Sequence, residues 1–211
     1  MEQTAVNVYH EWYADNVGRA IMYLGTPIMK WVGDLWNYQQ IIWHLRPSLV
    51  VEFGAGCGGS TLWFGNLMAA INPYGLVYSV DILELPDGPV KAHPLIRFER
   101  SDSVAPAIKA NLLALRAEFP GPMFVILDSE HKRPHVLAEM ESLRDVLRSG
   151  DYLVVEDGNI NGHPIYAGWG EGPFEAIADY EQRHPGDYEH DRMNEGRFGF
   201  TFATNGYLVR R

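Results

Sequence analysis

Three short apolar segments of this chain end in glycine or acidic residues, and this pattern constrains the fold more than any other feature. The segments cover residues 50–59, 125–131 and 153–157. In an open parallel sheet the carboxyl ends of the strands lie along one edge, where ligands bind. The pattern therefore predicts a parallel sheet with a ligand site at that edge.

Strand and helix signals alternate along the rest of the chain. Short apolar runs, typical of strands covered on both faces, predict strands at 49–53, 76–80, 95–98, 123–127 and 152–155. Apolar residues at helical spacing predict helices at 34–45 (with Asp34 as N-cap), at 60–71, around 108–115, at 134–147 and from Pro173.

The C-terminal pattern is different. Asn205-Gly206 favours a type I′ turn and lies between two runs of strand character, 198–203 and 207–210. The sequence therefore predicts an α/β fold whose sheet is mostly parallel, with a C-terminal antiparallel hairpin.

Length and composition indicate a single domain, 1–211, with an N-terminal lid or helical segment (1–46) and a catalytic core (47–211). The net charge of −10 argues against non-specific nucleic-acid binding and against a basic membrane-binding surface. The single cysteine, Cys57, excludes an internal disulfide and is interpreted as structural. No signal-peptide pattern or long apolar run is present in the sequence, so a soluble, cytoplasmic protein is expected.

The glycine-rich segment after the first strand has the spacing G-x-G-x-x-G at Gly54, Gly56 and Gly59. This spacing is compatible with a dinucleotide site, but also with a tight turn that needs glycine for positive φ. Glu52, just before the glycines, would lie unfavourably beside a pyrophosphate. An uncharged or cationic ligand such as S-adenosylmethionine is therefore favoured over NAD.

Polar residues after the next two strands extend the predicted cofactor site. Asp81 is placed to accept hydrogen bonds from ribose hydroxyls, and Ser101 and Asp102 lie where an adenine edge is expected, although a solvated strand end or a plain turn would give the same pattern. The predicted cofactor-binding set is Glu52, Gly54, Ala55, Gly56, Ser60, Asp81, Ser101, Asp102 and Asp128.

Three acids after the last two parallel strands predict a metal site. Asp128 follows one strand, while Glu156 and Asp157 follow its neighbour. Clustered carboxylates repel one another unless a hard cation such as Mg²⁺ lies between them; the alternative is that they face solvent or cap helices. His131 is a candidate general base because imidazole titrates near neutrality, although a histidine at the start of a helix is also often a capping or surface residue.

These segments together carry a family resemblance. The matching stretches are 25–30, 34–39, 51–60, 127–131, 154–157, 162–164, 172–176 and 205–208. They resemble the cephalosporin hydroxylase-like family of S-adenosylmethionine-dependent O-methyltransferases, which includes enzymes that act on macrolide sugars and rhamnosyl groups. The resemblance implies a Rossmann-like class I methyltransferase fold, Mg²⁺ bound by Asp128, Glu156 and Asp157, and deprotonation of the acceptor by His131. Two features differ: the chain is short for the family, and 55–57 departs from the more usual residues.

The sequence thus predicts a metal-dependent O-methyltransferase that acts on a hydroxyl of a small natural product or sugar. No nucleic-acid or membrane partner is expected, and a homo-oligomer is left open. An NAD-dependent oxidoreductase is one alternative, although it leaves the acids unexplained. A non-catalytic relative of the fold that binds a ligand or a partner subunit is another. A hydroxylase role in antibiotic biosynthesis is a third, although no triad of two histidines and one carboxylate for iron is apparent.

Overall fold

A seven-stranded sheet forms the centre of the computed structural model, which describes residues 4–17, 21–85 and 88–211. In chain order the strands are β1 (Met22–Tyr23), β2 (Thr26–Pro27), β3 (Leu49–Phe53), β4 (Leu76–Asp81), β5 (Ile96–Arg100), β6 (Met123–Leu127), β7 (Tyr152–Val155), β8 (Tyr188–His190) and β9 (Tyr207–Arg210). The helices are α1 (Ala5–Asn16), α2 (Val32–Leu45), α3 (Gly59–Ile71), α4 (Pro89–Ala92), α5 (Pro106–Glu118), α6 (Arg133–Leu143), α7 (Pro173–Arg183) and α8 (Arg192–Gly196).

The strand order in the sheet is β5-β4-β3-β6-β7-β9-β8, and the pairs among β3 to β7 are all parallel. β9 is antiparallel to both of its neighbours, and β1 and β2 form a separate small ribbon. The predicted α/β fold with a mostly parallel sheet and antiparallel C-terminal strands is confirmed. The carboxyl ends of β3 and β6 meet at one edge, as the acidic segments predicted.

Helices cover both faces of the sheet, which explains why its central strands are apolar on both sides. On one face, residues such as Val51 and Val125 pack against α5, α6 and α7 through Leu112, Met140 and Ile177. The other face carries α2 and α3, whose buried side chains include Tyr38, Ile42, Phe64 and Met68.

The outer antiparallel partner of β9 is β8 (Tyr188–His190), and not the predicted strand at 198–203. Residues 198–203 form no strand, because Phe200 and Phe202 stack instead on His10 of α1, and Phe200 also stacks on Trp31. The edge of β9 is therefore paired with β8. Asn205 does have positive φ, in a turn closed by a hydrogen bond from Gly206 N to Ala203 O.

Asp34 is not the N-cap that the sequence predicted. The N-cap of α2 is Trp31, three residues earlier. The Asp34 carboxylate is fully buried and accepts hydrogen bonds from Thr201 Oγ1, Tyr207 OH and Phe202 N, so it joins α2 to the C-terminal segment. A buried carboxylate needs such donors.

Across residues 4–17, 21–85 and 88–211, none of the helices combines the length and apolar character required to cross a bilayer. The division into an N-terminal segment (1–46) and a core (47–211) stays a prediction, and residues 1–3 and 18–20 of that segment lie outside the described residues.

Candidate active site

A cavity of about 940 Å³ opens at the carboxyl ends of the parallel strands. Most of the predicted cofactor residues line it: Gly54, Ala55, Gly56, Ser60, Asp81, Ser101, Asp102 and Asp128. The predicted metal ligand Asp157 and the predicted base His131 line it too. The cavity volume is in the range of small-molecule and cofactor sites.

The turn after β3 needs glycine because other backbone segments approach it closely. A Cβ on Gly54 would lie 2.0 Å from the carbonyl oxygen of Asp128, and φ at Gly54 is +95°. A Cβ on Gly59 would lie 2.1 Å from the carbonyl oxygen of Pro27. These glycines therefore bring the turn against both the Asp128 segment and residues 26–31, which lead into α2.

Asp81 at the end of β4 fixes the same turn. Its Oδ2 accepts a 2.8 Å hydrogen bond from Gly56 N, and its Oδ1 accepts one from Leu83 N. Each carboxylate oxygen keeps a second lone pair, so Asp81 can still accept a hydrogen bond from a ligand in the cavity.

Glu52 does not line the cavity. Its fully buried carboxylate lies beneath the turn, where Oε2 accepts hydrogen bonds from Thr61 Oγ1 of α3 at 2.5 Å and from Ser79 Oγ of β4 at 2.9 Å. Burial raises the pKa of Glu52, although Lys30 opposes this. The structure therefore shows Glu52 supporting the turn from below, and direct contact with a cofactor stays a prediction.

Two of the three predicted metal ligands come together beside His131. Donor atoms of Asp128, His131 and Asp157 all lie within 4.8 Å of one another, and His131 Nε2 is 3.1 Å from Asp157 Oδ2. Asp157 adopts φ of +55°, an uncommon conformation for a residue other than glycine. Such conformations occur often at functional sites.

Glu156 makes different contacts from Asp157. Its Oε1 is 2.9 Å from Lys30 Nζ and accepts a 2.6 Å hydrogen bond from Tyr38 OH. Lys30 Nζ also lies 2.5 Å from Asp128 Oδ2, so the ammonium bridges two acids. A role for Glu156 as a metal ligand stays a prediction, because its carboxylate is already held by these two partners.

The acids and His131 shift one another's protonation. Burial raises the pKa of Asp128 and of Asp157, and Lys30 and His131 oppose this shift. Burial also disfavours the imidazolium of His131, but the Asp157 and Asp128 carboxylates outweigh it and raise the pKa of His131. Crowded, desolvated carboxylates are the kind of donor set that a divalent cation stabilises.

A second polar group lies on the side of the cavity formed by residues 101–103. Glu139 Oε1 accepts hydrogen bonds from Ser103 Oγ at 2.5 Å and from Ser129 Oγ at 2.6 Å, and His135 Nε2 lies 3.0 Å from Ser103 Oγ. Ser103, Ser129 and His135 line the cavity. Sequence reasoning missed these contacts because Glu139 lies in α6, with no neighbouring motif.

The mouth of the cavity is partly covered by α1 and by residues 160–169. Ala14 and Asp15 of α1 line the cavity, as do Tyr166 and Trp169. Tyr166 OH donates a 2.5 Å hydrogen bond to Asp15 Oδ1, which joins the two segments. A covering role for the N-terminal segment is consistent with this contact.

Replacing Tyr38 by phenylalanine is expected to destabilise the fold by about 1.5–3 kcal/mol, the range for a hydrogen bond to a charged group. The change removes the hydroxyl of a fully buried ring, and this hydroxyl donates a hydrogen bond to Glu156. Urea unfolding measures the difference, with Tyr74→Phe as control because Tyr74 is 90% exposed. Equal unfolding midpoints for Tyr38→Phe and the unchanged protein would contradict the assigned hydrogen bond.

Comparison with solved structures defines the class of this fold. The chain is similar to a CmcI structure with Mg and SAM (TM-score 0.70, 20% identity). The match covers 92% of this chain and 77% of that one. A structure of CalS11, a TDP-rhamnose 3′-O-methyltransferase, matches over 99% of this chain and 81% of that one (TM-score 0.53, 14% identity). At these identities the likeness establishes the fold alone, which this chain shares with CmcI and CalS11.

Sequence comparison then gives the family. The model of the Rhamnosyl O-methyltransferase/CmcI family matches residues 15–211. A rhamnosyl O-methyltransferase of Mycobacterium leprae is 50% identical over 96% of this chain and 89% of its own length. Another, from Mycobacterium bovis, is 48% identical over 96% of this chain and 83% of its own length.

The protein is an S-adenosylmethionine-dependent O-methyltransferase. It belongs to the Rhamnosyl O-methyltransferase/CmcI family, as the resemblance predicted. The alternative of an NAD-dependent oxidoreductase is thereby set aside.

Proposed function

We propose that this enzyme requires a divalent cation and methylates a hydroxyl group of a rhamnosyl or closely related sugar. The observation that carries the proposal is the convergence of Asp128, Asp157 and His131 donor atoms within 4.8 Å, in the same cavity as the glycine turn. The names of the relatives, rhamnosyl O-methyltransferases, support the acceptor class.

The cofactor is proposed to lie along the turn after β3. Gly54, Ala55 and Gly56 allow close approach of the backbone, Asp81 accepts from ribose hydroxyls, and Ser101 and Asp102 border the adenine. S-adenosylmethionine supplies the methyl group, carried on its sulfonium sulfur. This arrangement leaves the end of the cavity near Asp128 and Asp157 for the acceptor.

Asp128 and Asp157 are proposed to hold the cation, most simply Mg²⁺, because oxygen ligands suit hard cations. The fit rests on two closely placed carboxylates whose pKa values are raised, first by burial and then by a neighbouring acid, Asp157 for Asp128 and Glu156 for Asp157. Glu156 remains the predicted third ligand. When bound, Mg²⁺ supplies a Lewis acid that lowers the pKa of a nearby acceptor hydroxyl.

His131 is proposed to take the acceptor proton. Its neutral imidazole has one donor and one acceptor nitrogen, and Asp157 lies 3.1 Å from Nε2. If Nε2–H donates to Asp157, Nδ1 is left as the proton acceptor. His131 then removes the hydroxyl proton as the oxygen bonds to the methyl carbon and the carbon–sulfur bond breaks, which gives a methyl ether and S-adenosylhomocysteine.

The mouth of the cavity has features suited to a sugar. Trp169 and Tyr166 provide apolar ring faces for the C–H groups of a pyranose, and their ring centroids are 6.3 Å apart. Asp15 provides a carboxylate that can accept from sugar hydroxyls. Lining residues of this kind are suited to a sugar and add to the support that the names of the relatives give.

A methyl-transfer assay tests the proposal. The enzyme is incubated with S-adenosylmethionine, Mg²⁺ and either an aryl α-L-rhamnoside or the matched aryl glucoside, and products are followed by mass spectrometry. We expect a mono-O-methyl rhamnoside and an equal amount of S-adenosylhomocysteine, with less product from the glucoside. Methylation of the glucoside but not of the rhamnoside would contradict the acceptor assignment.

Replacing Asp81 by alanine is expected to weaken S-adenosylhomocysteine binding by about 1–3 kcal/mol, because the ribose hydroxyls of the bound ligand lose their acceptor. Titration calorimetry measures the change. Asp145→Ala is the matched control, since Asp145 pairs with Lys109 on α5 and lies outside the cavity. Unchanged affinity in Asp81→Ala would remove Asp81 from the cofactor site.

A further inference from the structure

Lys30 places a positive charge inside the acidic end of the cavity. The acidic cluster consists of Asp128, Glu156 and Asp157, and the Lys30 ammonium lies 2.5 Å from Asp128 Oδ2 and 2.9 Å from Glu156 Oε1. The Lys30 side chain is only 2% exposed. Nothing in the proposed cofactor contacts or in the proton transfer uses this ammonium.

Lys30 has little freedom to leave this position. It follows residues 27–29, which line the cavity, and the carbonyl oxygen of Pro27 lies against Gly59 so closely that no Cβ fits between them. Its two carboxylate partners follow different strands, β6 and β7. The ammonium is therefore a fixed part of the cluster and not a mobile surface charge.

The charges of these four side chains have a simple sum. Asp128, Glu156 and Asp157 contribute −3 when ionised, and Lys30 contributes +1. The four side chains therefore sum to −2 when all of them are ionised. The Lys30 ammonium lies beside the acids that would hold the ion, so its repulsion is larger for a trivalent ion than for a divalent one.

Asp34, Glu52 and His131 also lie near these four side chains, and they are the same in every variant compared below. Asp34 and Glu52 lie behind the cluster and are held by hydroxyl donors of their own, Thr201 and Tyr207 for Asp34, and Thr61 and Ser79 for Glu52. His131 lies on the cavity side, with Nε2 3.1 Å from Asp157 Oδ2.

We propose that the Lys30 ammonium, by placing a fixed positive charge beside the acidic cluster, favours the binding of divalent over trivalent cations there. The inference deepens the proposed function and rests on its metal site. Lys30 thus affects which ion binds, and it takes no part in the transfer of the methyl group or the proton.

The test measures ion binding directly. The affinity for Mn²⁺ is measured by electron paramagnetic resonance and the affinity for Tb³⁺ by luminescence, in the complete chain. Lys30→Met removes the positive charge and changes the sum over the four side chains from −2 to −3. We therefore expect the ratio of Tb³⁺ to Mn²⁺ affinity to rise about tenfold or more, the scale expected for one unit charge a few ångströms from an ion. Lys30→Arg keeps the charge and is expected to keep the ratio.

The same loss of one positive charge is also measured in a protein in which Glu156 is replaced by neutral glutamine. Glu156→Gln leaves a cluster charge of −1, and the double variant Lys30→Met/Glu156→Gln restores −2. The ratio is expected to rise by a similar factor between these two proteins. This pair of proteins is used if Lys30→Met alone fails to fold. In the double variant, position 156 carries a neutral glutamine, so no buried carboxylate there loses its cationic partner. Lys109→Met, which breaks the separate pair with Asp145, is the control with an unchanged ratio.

The outcomes separate the inference from the proposed function. A Tb³⁺ to Mn²⁺ ratio that stays within about twofold across both charge steps would overturn the role of Lys30 while leaving the metal site intact. Failure of the unchanged protein to bind Mn²⁺ would overturn the metal site, and the inference with it.

Discussion

Removal of divalent cations is expected to abolish methyl transfer while leaving S-adenosylhomocysteine binding nearly unchanged. The residues proposed to hold the cofactor follow β3, β4 and β5, whereas the proposed metal ligands follow β6 and β7. Loss of a Lewis acid removes several kcal/mol of transition-state stabilisation, so the rate should fall by at least about a hundredfold. Rates and calorimetric affinities are measured on chelator-treated protein before and after addition of Mg²⁺.

The control for this experiment is Asp128→Asn, which retains a side chain of similar size but loses a charged ligand. Its activity should need more Mg²⁺ than that of the unchanged enzyme, and its affinity for S-adenosylhomocysteine should be similar. Full activity of chelated enzyme on its own acceptor would show that no cation is required.

His131→Ala is expected to lower kcat by about 10²–10⁴-fold, the usual range for loss of a general base. The imidazole lies beside Asp157 at the end of the cavity assigned to the acceptor. Single-turnover rates are measured so that product release does not mask the chemical step. Equal rates for His131→Ala and the unchanged enzyme at neutral pH would leave activation by the cation as the sole route.

The pH dependence of the rate follows from the sign of the His131 shift. Only the neutral imidazole accepts a proton, so the rate rises as pH passes upward through its pKa and then levels off. Burial opposes protonation, but Asp157 and Asp128 raise the pKa of His131 above its ordinary value of 6.5 in the metal-free protein. A bound cation neutralises those acids, so the inflection should move to lower pH as Mg²⁺ saturates the site.

The same variant also distinguishes a base from a ligand. His131 belongs to the group of donors within 4.8 Å of one another, so its nitrogen is close enough to be considered for the ion itself. His131→Ala should leave the affinity for Mn²⁺ nearly unchanged if His131 is only a base. A large loss of Mn²⁺ affinity would place His131 among the ligands.

Local sequence patterns predicted the strands and the cavity residues that follow them. The strands β3, β6 and β7 have their predicted bounds because both of their faces are buried, which makes them short apolar runs with sharp ends. Asp128 and His131 lie within four residues of the end of β6, and Asp157 lies two residues after the end of β7. For these residues the position along the chain determines the position in the fold.

Contacts between distant parts of the chain could not be predicted in this way. Lys30 meets Asp128 across 98 residues of sequence, and Tyr38 meets Glu156 across 118. Glu156 and Asp157 are adjacent in sequence but have different partners, Lys30 and Tyr38 for Glu156 and His131 for Asp157. The 198–203 run has strand character in sequence, but its aromatic rings pack on α1 and Trp31 instead.

A crystal structure with Mn²⁺ and S-adenosylhomocysteine tests the central claim most directly, since the anomalous signal of Mn²⁺ locates the ion. We expect one strong anomalous peak within coordination distance of Asp128 and Asp157, with the homocysteine sulfur on the side of the β3 turn. The same map shows whether Glu156 leaves Lys30 and Tyr38 to join the ion. A peak elsewhere, or carboxylates of Asp128 and Asp157 that point apart with S-adenosylhomocysteine bound, would contradict a metal-dependent methyltransferase site at this edge of the sheet.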